Sequence, residues 1–307
     1  MGLLGETIQN VNTYLTNFAT GYAMRNPVAD FVAPPFQVKY EAGRYVEYTK
    51  SVFRIFDDKI SGRERAKEIQ WDVDCGTYAC EEYSMEKFVS DKAKAQAVEP
   101  IRLDEDATKF LKRFHAQARE YRINQIAGNT ALIPNINIAA AWAGAAGTPV
   151  ADILLGMSTI DIACGFIPNR ILIPNQVALR MIQTTEWRTY FTFTSEGFNS
   201  GLFDAVAGLR KLGLEPMLTN SVGLSTAKCT ASDPTSESLW SDSVLLFYCE
   251  PVPTTESRTF MYSPFVAQNQ VFTTREPRER GVYHTIYSDI DELLVDSSCG
   301  YLMTNTL

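Results

Sequence analysis

The sequence is poor in the groups that most enzyme mechanisms need. It has two histidines, His115 and His284, and neither adjoins a G-x-S-x-G elbow or a cysteine in a reactive setting. Neither G-x-G-x-x-G nor a P-loop occurs, so a glycine cradle for nucleotide is unsupported. Carboxylates do pair in "DDKISGRERAKE", but in an exposed turn they stay solvated and unshifted, the wrong setting for acid and base work. We therefore expect no enzyme, no cofactor and no metal site. Basic stripes are also missing, and a formal charge of -8 argues against nucleic-acid recognition, which rests on clustered Lys and Arg. No Lys or Arg precedes Arg25, so the charged start of a signal peptide is lacking. The N-myristoylation pattern is missed because the Thr falls at position 7, where Ser or Thr at the sixth is required. No apolar run approaches the ~18 residues of a membrane span.

Cysteine is sparse as well. Cys75, Cys80, Cys164, Cys229, Cys249 and Cys299 are too few for a disulfide scaffold and fit a reducing cytoplasm. Only Cys75 and Cys80 are close in sequence, with no second pair or neighbouring His to complete a zinc site. All six are expected to be buried or half-buried thiols.

What is present is an ordinary globular composition, 45% hydrophobic and 21% charged over 307 residues, with length for about two domains. Up to about residue 44 the chain reads as an extended arm, because the prolines of "NPVADFVAPPF" deny a continuing helix or a central strand. Phe18, Tyr22, Phe31, Val32 and Phe36 give that arm enough apolar surface to dock on something. From Tyr45 to Phe56 aromatic and β-branched residues dominate, and "EIQWDVD" places Ile69, Trp71 and Val73 on one face, a two-stranded ribbon with arms of about 40 Å. Between its strands eight of the twelve residues from Asp57 to Glu68 are ionisable, with mixed signs: Asp57, Asp58, Lys59, Arg63, Glu64, Arg65, Lys67 and Glu68. No third strand of similar pattern is read after the ribbon.

"LDEDATKFLKRFHAQAREYRINQIAGN" predicts a helix of about 36 Å, N-capped by Asp104 and ended by Gly128 and Asn129. Its apolar face is read as Ala107, Phe110, Leu111, Phe114, Ala118 and Tyr121, with His115 beside it in a packing or surface role. "GTPVADILLGMSTIDIACG" predicts a second helix capped by Thr148, with Pro149 in the first turn and Val150, Ile153, Leu154, Met157 and Ile160 buried. "NRILIPN" gives a short strand, "QVALRMIQTTEW" a helix, "LEPMLTN" and "SVLLFYCEP" further elements of an α/β lobe around the polar loop "TASDPTSES", and "GVYHTIYSDIDELLVDSSCGYLM" returning strands.

That order of elements resembles the major capsid proteins of tailed double-stranded DNA phages, the Hong Kong ninety-seven type or Johnson fold. The likeness is carried by "YACEEYSMEKFVSDKAKAQAVEPIRLDEDATKFLKRFHAQAREYRINQIAGN", with "PVADILLGMSTI", "NRILIPNQVALRMI" and "ESLWSDSVLLFYCEP" similar to later segments. It implies an α+β fold with an N-terminal arm (1–44), an extended loop (45–90), a peripheral domain with a long spine helix (91–174), an axial α/β domain (175–264) and return strands to the peripheral domain (265–307). By the same resemblance the chain would be a structural, non-enzymatic shell protein of the virion, assembled in the host cytoplasm through hexamers and pentamers around DNA held without sequence preference. Its partners would be further copies of itself, scaffolding and portal proteins and a decoration protein. The charged loop tip would reach across a neighbouring subunit. Some members carry a scaffolding segment before the arm; here a separate scaffold or prior processing would supply that step. Some also join a loop Lys to an Asn of a neighbour; Lys59 and Lys67 offer amines, but no crosslink is expected. A cellular encapsulin compartment of the same fold and a soluble α/β enzyme are the alternatives.

Overall fold

The structure is a computed structural model that describes residues 15, 28–47, 53, 55, 57–59, 65, 67, 68, 74–96, 102–139, 141, 142, 146–192, 202–220, 222–224, 236–240 and 242–307. Two mixed sheets organise it, and the fold is α+β. The first sheet runs β1 (Pro35–Gln37), β11 (Met261–Glu276), β12 (Gly281–Ile290), β4 (Glu81–Ser90), with β13 (Leu293–Leu294) also pairing with β11. The second runs β5 (Asn135–Asn137), β14 (Gly300–Thr304), β10 (Val244–Phe247), β6 (Arg170–Pro174), β7 (Glu215–Thr219). Two-stranded pairs β2 (Ala42–Glu47) with β3 (Asp74–Ala79), and β8 (Val222–Leu224) with β9 (Ser236–Ser238), complete the described strands.

The second sheet holds the core. "ILIP" after Arg170 and "VLLF" are unbroken apolar runs, as strands covered on both faces must be, and Ile171, Leu172, Ile173 and Val244 to Phe247 are all fully buried. Around it lie α4 (Pro149–Cys164), α5 (Asn175–Met181), α6 (Thr185–Thr192) and α7 (Leu202–Lys211). The expected side-chain cap of α4 by Thr148 is not made. Glu186 reaches over from α6 instead and accepts from the N–H groups of Val150 (2.8 Å) and Ala151 (3.2 Å), satisfying two of the donors a helix start leaves over. Leu154, expected inside, is exposed, whereas Gly156 and Cys164 are buried. The returning segment divides between the sheets: β12 joins the first, and β14 lies inside the second between β5 and β10.

At residues 28–37 the arm docks on the body of its own chain. Helix α1 (Val28–Val32) is buried on Val28, Ala29, Phe31 and Val32, Phe31 meets Phe247 edge to face, and β1 adds as a parallel edge strand beside β11, a place where Pro35's missing N–H costs nothing. Phe18 and Tyr22 lie outside the described residues. One expectation about the N-terminal half is corrected at β4: ten residues paired along their full length with β12 directly follow the ribbon, where no third strand of similar pattern is expected. Its outer face is polar, with Glu82, Ser84 and Glu86 exposed, and Tyr83, Met85, Lys87 and Val89 alternate with them inward.

The long helix forms as α3 (Leu103–Ala127), preceded by α2 (Asp91–Gln96) and stopped at Gly128. Its N-cap is Arg102, without a side-chain cap bond; Asp104 lies in the first turn and binds Lys94 and His284, each at 2.7 Å. The buried face is rotated from the expected one. Phe110, Phe114 and Tyr121 are exposed, while Ala107, Thr108, Leu111, His115, Arg119, Ile123 and Ala127 face inward. The polar members of that face are satisfied by partners distant in sequence. Arg119 holds Asp30, the carbonyl of Ala33 (3.1 Å) and Ser263 (3.2 Å), and Arg122 binds Glu292 with two bonds, 2.7 and 3.1 Å. The network joins α1, α3 and β11 at one point.

His115 Nε2 lies 3.0 Å from the Ser288 hydroxyl, which accepts from Asn269 N–H, an arrangement suited to a neutral ring. Burial, then the charges of Arg122 and Arg119, push its pKa down to about 4. An unfolded chain takes up this proton near 6.5, so the contribution of the neutral ring is complete above that pH and is lost as pH falls towards 4. We expect the stability of the wild type to drop by about 3 kcal/mol from this group between pH 7 and pH 4, measured by denaturant titration at each pH. The His115→Gln variant should show a shallower pH dependence whatever its starting stability; an unchanged slope would contradict this assignment.

Candidate subunit-contact site

The ribbon is anchored at its root and exposed beyond it. β2 and β3 pair antiparallel with Gly43 opposite Tyr78 and Tyr45 opposite Gly76. Each tyrosine ring lies across the facing glycine, so closely that a Cβ there would overlap the ring. Aromatic rings covering strand glycines fix register and restore packing that glycine lacks. Tyr45 and Tyr78 are buried, and Tyr45 also meets Tyr262 edge to face at 6.4 Å. Burial, then the neighbouring Glu47 carboxylate, pushes the Tyr45 phenol up to about 12. The root is tied to the body by Val46 N–H to Thr255 O (3.0 Å), Ala79 N–H to the Asp291 carboxylate (3.2 Å) and the Cys80 thiol to Pro264 O (3.5 Å), while Cys80 N–H to Glu41 O (2.7 Å) closes the ribbon's own ladder. Burial raises the pKa of both Asp289 and Asp291, helped at Asp289 by the charges of Glu41 and Glu82.

Past the root, Phe53 lies against Gly165, with the Arg258 guanidinium 5.3 Å from its ring centre. Ile55 is 99% exposed. Among the tip residues, Lys67 Nζ donates to the Asp57 carboxylate at 2.8 Å and to its carbonyl at 2.9 Å. That ammonium, and then the N–H of Lys59, hold the Asp57 carboxyl below its ordinary range. Asp58, Lys59, Arg65 and Glu68 are exposed. Arg63 and Glu64, with the expected strand residues Ile69, Trp71 and Val73, lie outside the described residues. The structure thus brings Asp57 and Lys67 together and leaves the other described tip charges in solvent.

Sequence reasoning missed the exposed Ile55 and missed Gly43 and Gly76 as register markers. The glycine signal was legible: two glycines inside strand-like runs, each in a segment that also carries a tyrosine. The thiols differ in one respect from expectation. Cys164, Cys249 and Cys299 are buried and Cys80 is half-buried, but Cys75 is exposed because it sits on the outer side of β3; Cys229 is outside the described residues. Among the described residues no group of three His, Cys, Asp or Glu is placed to hold a metal ion, and no helix is long and apolar enough to cross a membrane.

No protein-family model and no curated protein sequence matches the chain. Solved structures do. The crystal structure of a phage-related protein from Bordetella bronchiseptica superposes with a TM-score of 0.74 at 18% identity, covering 97% of this chain and 98% of that one. The capsid structure of cyanophage P-SCSP1u gives 0.60 at 10% identity, over 92% and 89% of the two chains. The chain has the phage capsid fold. A virus-like particle from Pyrococcus furiosus shares that fold at a TM-score of 0.52 and 8% identity, over 94% and 95%.

Proposed function

We propose that the chain is a structural, non-enzymatic capsid protein of a phage virion that self-assembles through hexamers and pentamers into an icosahedral shell around double-stranded DNA. The observation that carries this reading is the ribbon: rooted on the body by hydrogen bonds from Val46, Ala79 and Cys80, it presents a fully exposed isoleucine and mixed charge to solvent. An apolar side chain set among mixed charges suits the rim of a contact surface, where charge sets register and apolar contact adds affinity. In this reading residues 1–44 form the arm, 45–90 the extended loop, 91–174 the peripheral domain, 175–264 the axial domain and 265–307 the return strands. The tip residues Asp57, Asp58, Lys59, Arg63, Glu64, Arg65, Lys67 and Glu68 meet complementary charge on a neighbouring copy and set its register more than its affinity. Assembly takes place in the host cytoplasm with separate scaffolding, portal and decoration partners, and the acidic chain leaves packaged DNA free to move.

A compartment shell of the same fold is the second reading, supported by the likeness to the Pyrococcus furiosus particle. The experiment for the shared claim is sedimentation velocity of the purified chain, with and without a co-expressed scaffold, beside the Ile55→Asp variant. Rings or shells are expected from the wild type. The variant should melt within about 1 °C of it, since Ile55 makes no core contact to lose, and should assemble at least about tenfold less, the ratio that about 1.4 kcal/mol per contact gives. A wild type that stays a monomer under every condition, or a variant that assembles normally, would count against the proposal.

A further inference from the structure

The two sides of the first sheet differ. α3 lies on the side that carries His284, Ile286 and Ser288, and binds two of these through Asp104 and His115. The residues that alternate with them, Tyr283, Thr285 and Tyr287, are half-buried, and Glu82, Ser84 and Glu86 beside them on β4 are exposed. On this open face the register sets acid against acid. Asp289 lies directly opposite Glu82, a pairing that brings Cβ atoms to about 5 Å and destabilises a sheet when the charges are alike. Glu86 lies further along the same face, and Glu276 and Glu279 stand at the end of the β11 and β12 hairpin. Each end also holds a tyrosine: the Tyr287 hydroxyl donates to Glu82 (3.0 Å) and the Tyr283 hydroxyl to Glu279. No Lys or Arg takes an outward position on β4, β12 or the part of β11 paired with it; Lys87 and Arg275 face the other way, opposite His284 and Val282. Among the described residues none of these carboxylates is in an ion pair. Asp289 is 4% exposed, and one of its oxygens is buried without a hydrogen bond. Burial, then the charges of Glu41 and Glu82, raise its pKa, which is the effect of acids crowded together with no cation among them.

We propose that this face is the docking surface for a separate protein, which lays an extended basic segment along β4 and β12 with Lys or Arg about six residues apart. The spacing follows from the sheet. Asp289 marks one acidic end and Tyr283, with Glu86, Glu276 and Glu279 around it, the other. Along β12 these ends are about 20 Å apart at roughly 3.3 Å per residue, so an extended chain running beside the strand meets both with cations at the same separation. Aromatic rings lie on the face as well: Phe88 and Tyr283 have centres 4.9 Å apart, and Phe272 and Tyr287 5.9 Å, surfaces on which a guanidinium stacks. A cation at the Glu82 end stands in the field of both facing carboxylates and offsets the repulsion that the chain alone carries. The complement is not supplied by another copy of the chain. The ribbon's tip has four acids and four bases, so it offers no net positive charge. Arg113, exposed on α3, is on the opposite side of the same sheet, and copies joined through it would stack in an open run, not close into a shell. The face is a property of the folded chain and can be probed whether or not shells form.

The test uses a fluorescein-labelled peptide with a pair of arginines separated by about five Ser and Thr residues, titrated with the whole chain at about 0.15 M salt and followed by anisotropy. Binding is expected, and it should weaken by about tenfold or more in Glu82→Gln combined with Glu86→Gln, the loss of a charge-assisted bond. Asp161→Asn combined with Glu256→Gln removes the same formal charge from exposed positions off this face and should change binding by less than about twofold. A peptide of the same composition with its arginines adjacent should bind more weakly. Glu82→Gln alone should raise the melting temperature while it lowers peptide affinity, because it relieves the repulsion from Asp289; a residue that served packing alone would not separate the two readouts in this way. No binding, equal weakening in both double variants, or indifference to arginine spacing would overturn the proposal. So would self-association of the chain that the face variants abolish without any peptide binding, which would assign the face to a second copy.

Discussion

Reversing the four positive charges of the ribbon's tip, with Lys59→Glu, Arg63→Glu, Arg65→Glu and Lys67→Glu combined, is expected to leave a folded chain that forms no shells. Three of these residues are described, and all three are exposed. The one contact seen among them, Lys67 to Asp57, is between side chains 48% and 77% exposed, where solvent screens the attraction and an ion pair adds little to folding. In a closed shell the same charges recur at every copy of the contact, so a small loss at each is multiplied across the assembly. Charge contacts at a rim also govern encounter and register, and placing like charges together rejects the partner outright. Circular dichroism and melting should match the wild type while the shell fraction on a sucrose gradient is empty. Wild-type assembly should in turn weaken with salt over the range in which the Debye length falls from about 10 Å to about 3 Å. Normal shells from the variant would show that the tip faces solvent in the assembly.

The largest effect on folding is expected from Glu292→Ala. Glu292 is 8% exposed, takes both bonds of Arg122, and lies 3.9 Å from Arg119. Arg122 itself stacks on Tyr83, 3.6 Å from the ring centre. Removing the carboxylate strands the Arg122 guanidinium, while Arg119 keeps Asp30, and breaking a buried pair by removing one partner costs about 3–5 kcal/mol. Glu292→Gln keeps an acceptor for one Arg122 bond and should lose less. The double variant Glu292→Ala with Arg122→Ala should lose less than the sum of its parts, because the second change removes the charge stranded by the first. Denaturant unfolding of all four proteins measures this; a loss below about 1 kcal/mol in Glu292→Ala would mean that water satisfies the site.

Elements whose cause is local were legible in the sequence. α3 is where its charge gradient and Gly128 place it, and β6 and β10 are where unbroken apolar runs place them. What could not be read is whatever depends on a partner far along the chain. Phe110 and Phe114 outrank His115 and Arg119 on any hydrophobicity scale, yet the polar pair is buried, since Ser288, Asp30 and Ser263 supply the bonds that burial demands. β4 looked too polar for a strand of its own because one face carries glutamates to solvent, and its pairing is set by β12, about two hundred residues later. α4 carries a capping residue at Thr148, but the bonds come from Glu186. At the candidate site the charge pattern of the tip was plain, while the exposure of Ile55 is a property of the folded chain and has no sequence signal.

Self-assembly is tested most directly by negative-stain imaging of the purified chain. The capsid reading predicts closed shells built of hexamers and pentamers, holding DNA when taken from infected cells; small uniform shells with protein cargo would favour the compartment instead. Compact dimers or tetramers, or a monodisperse monomer at every concentration and with every scaffold tried, would contradict a shell protein altogether.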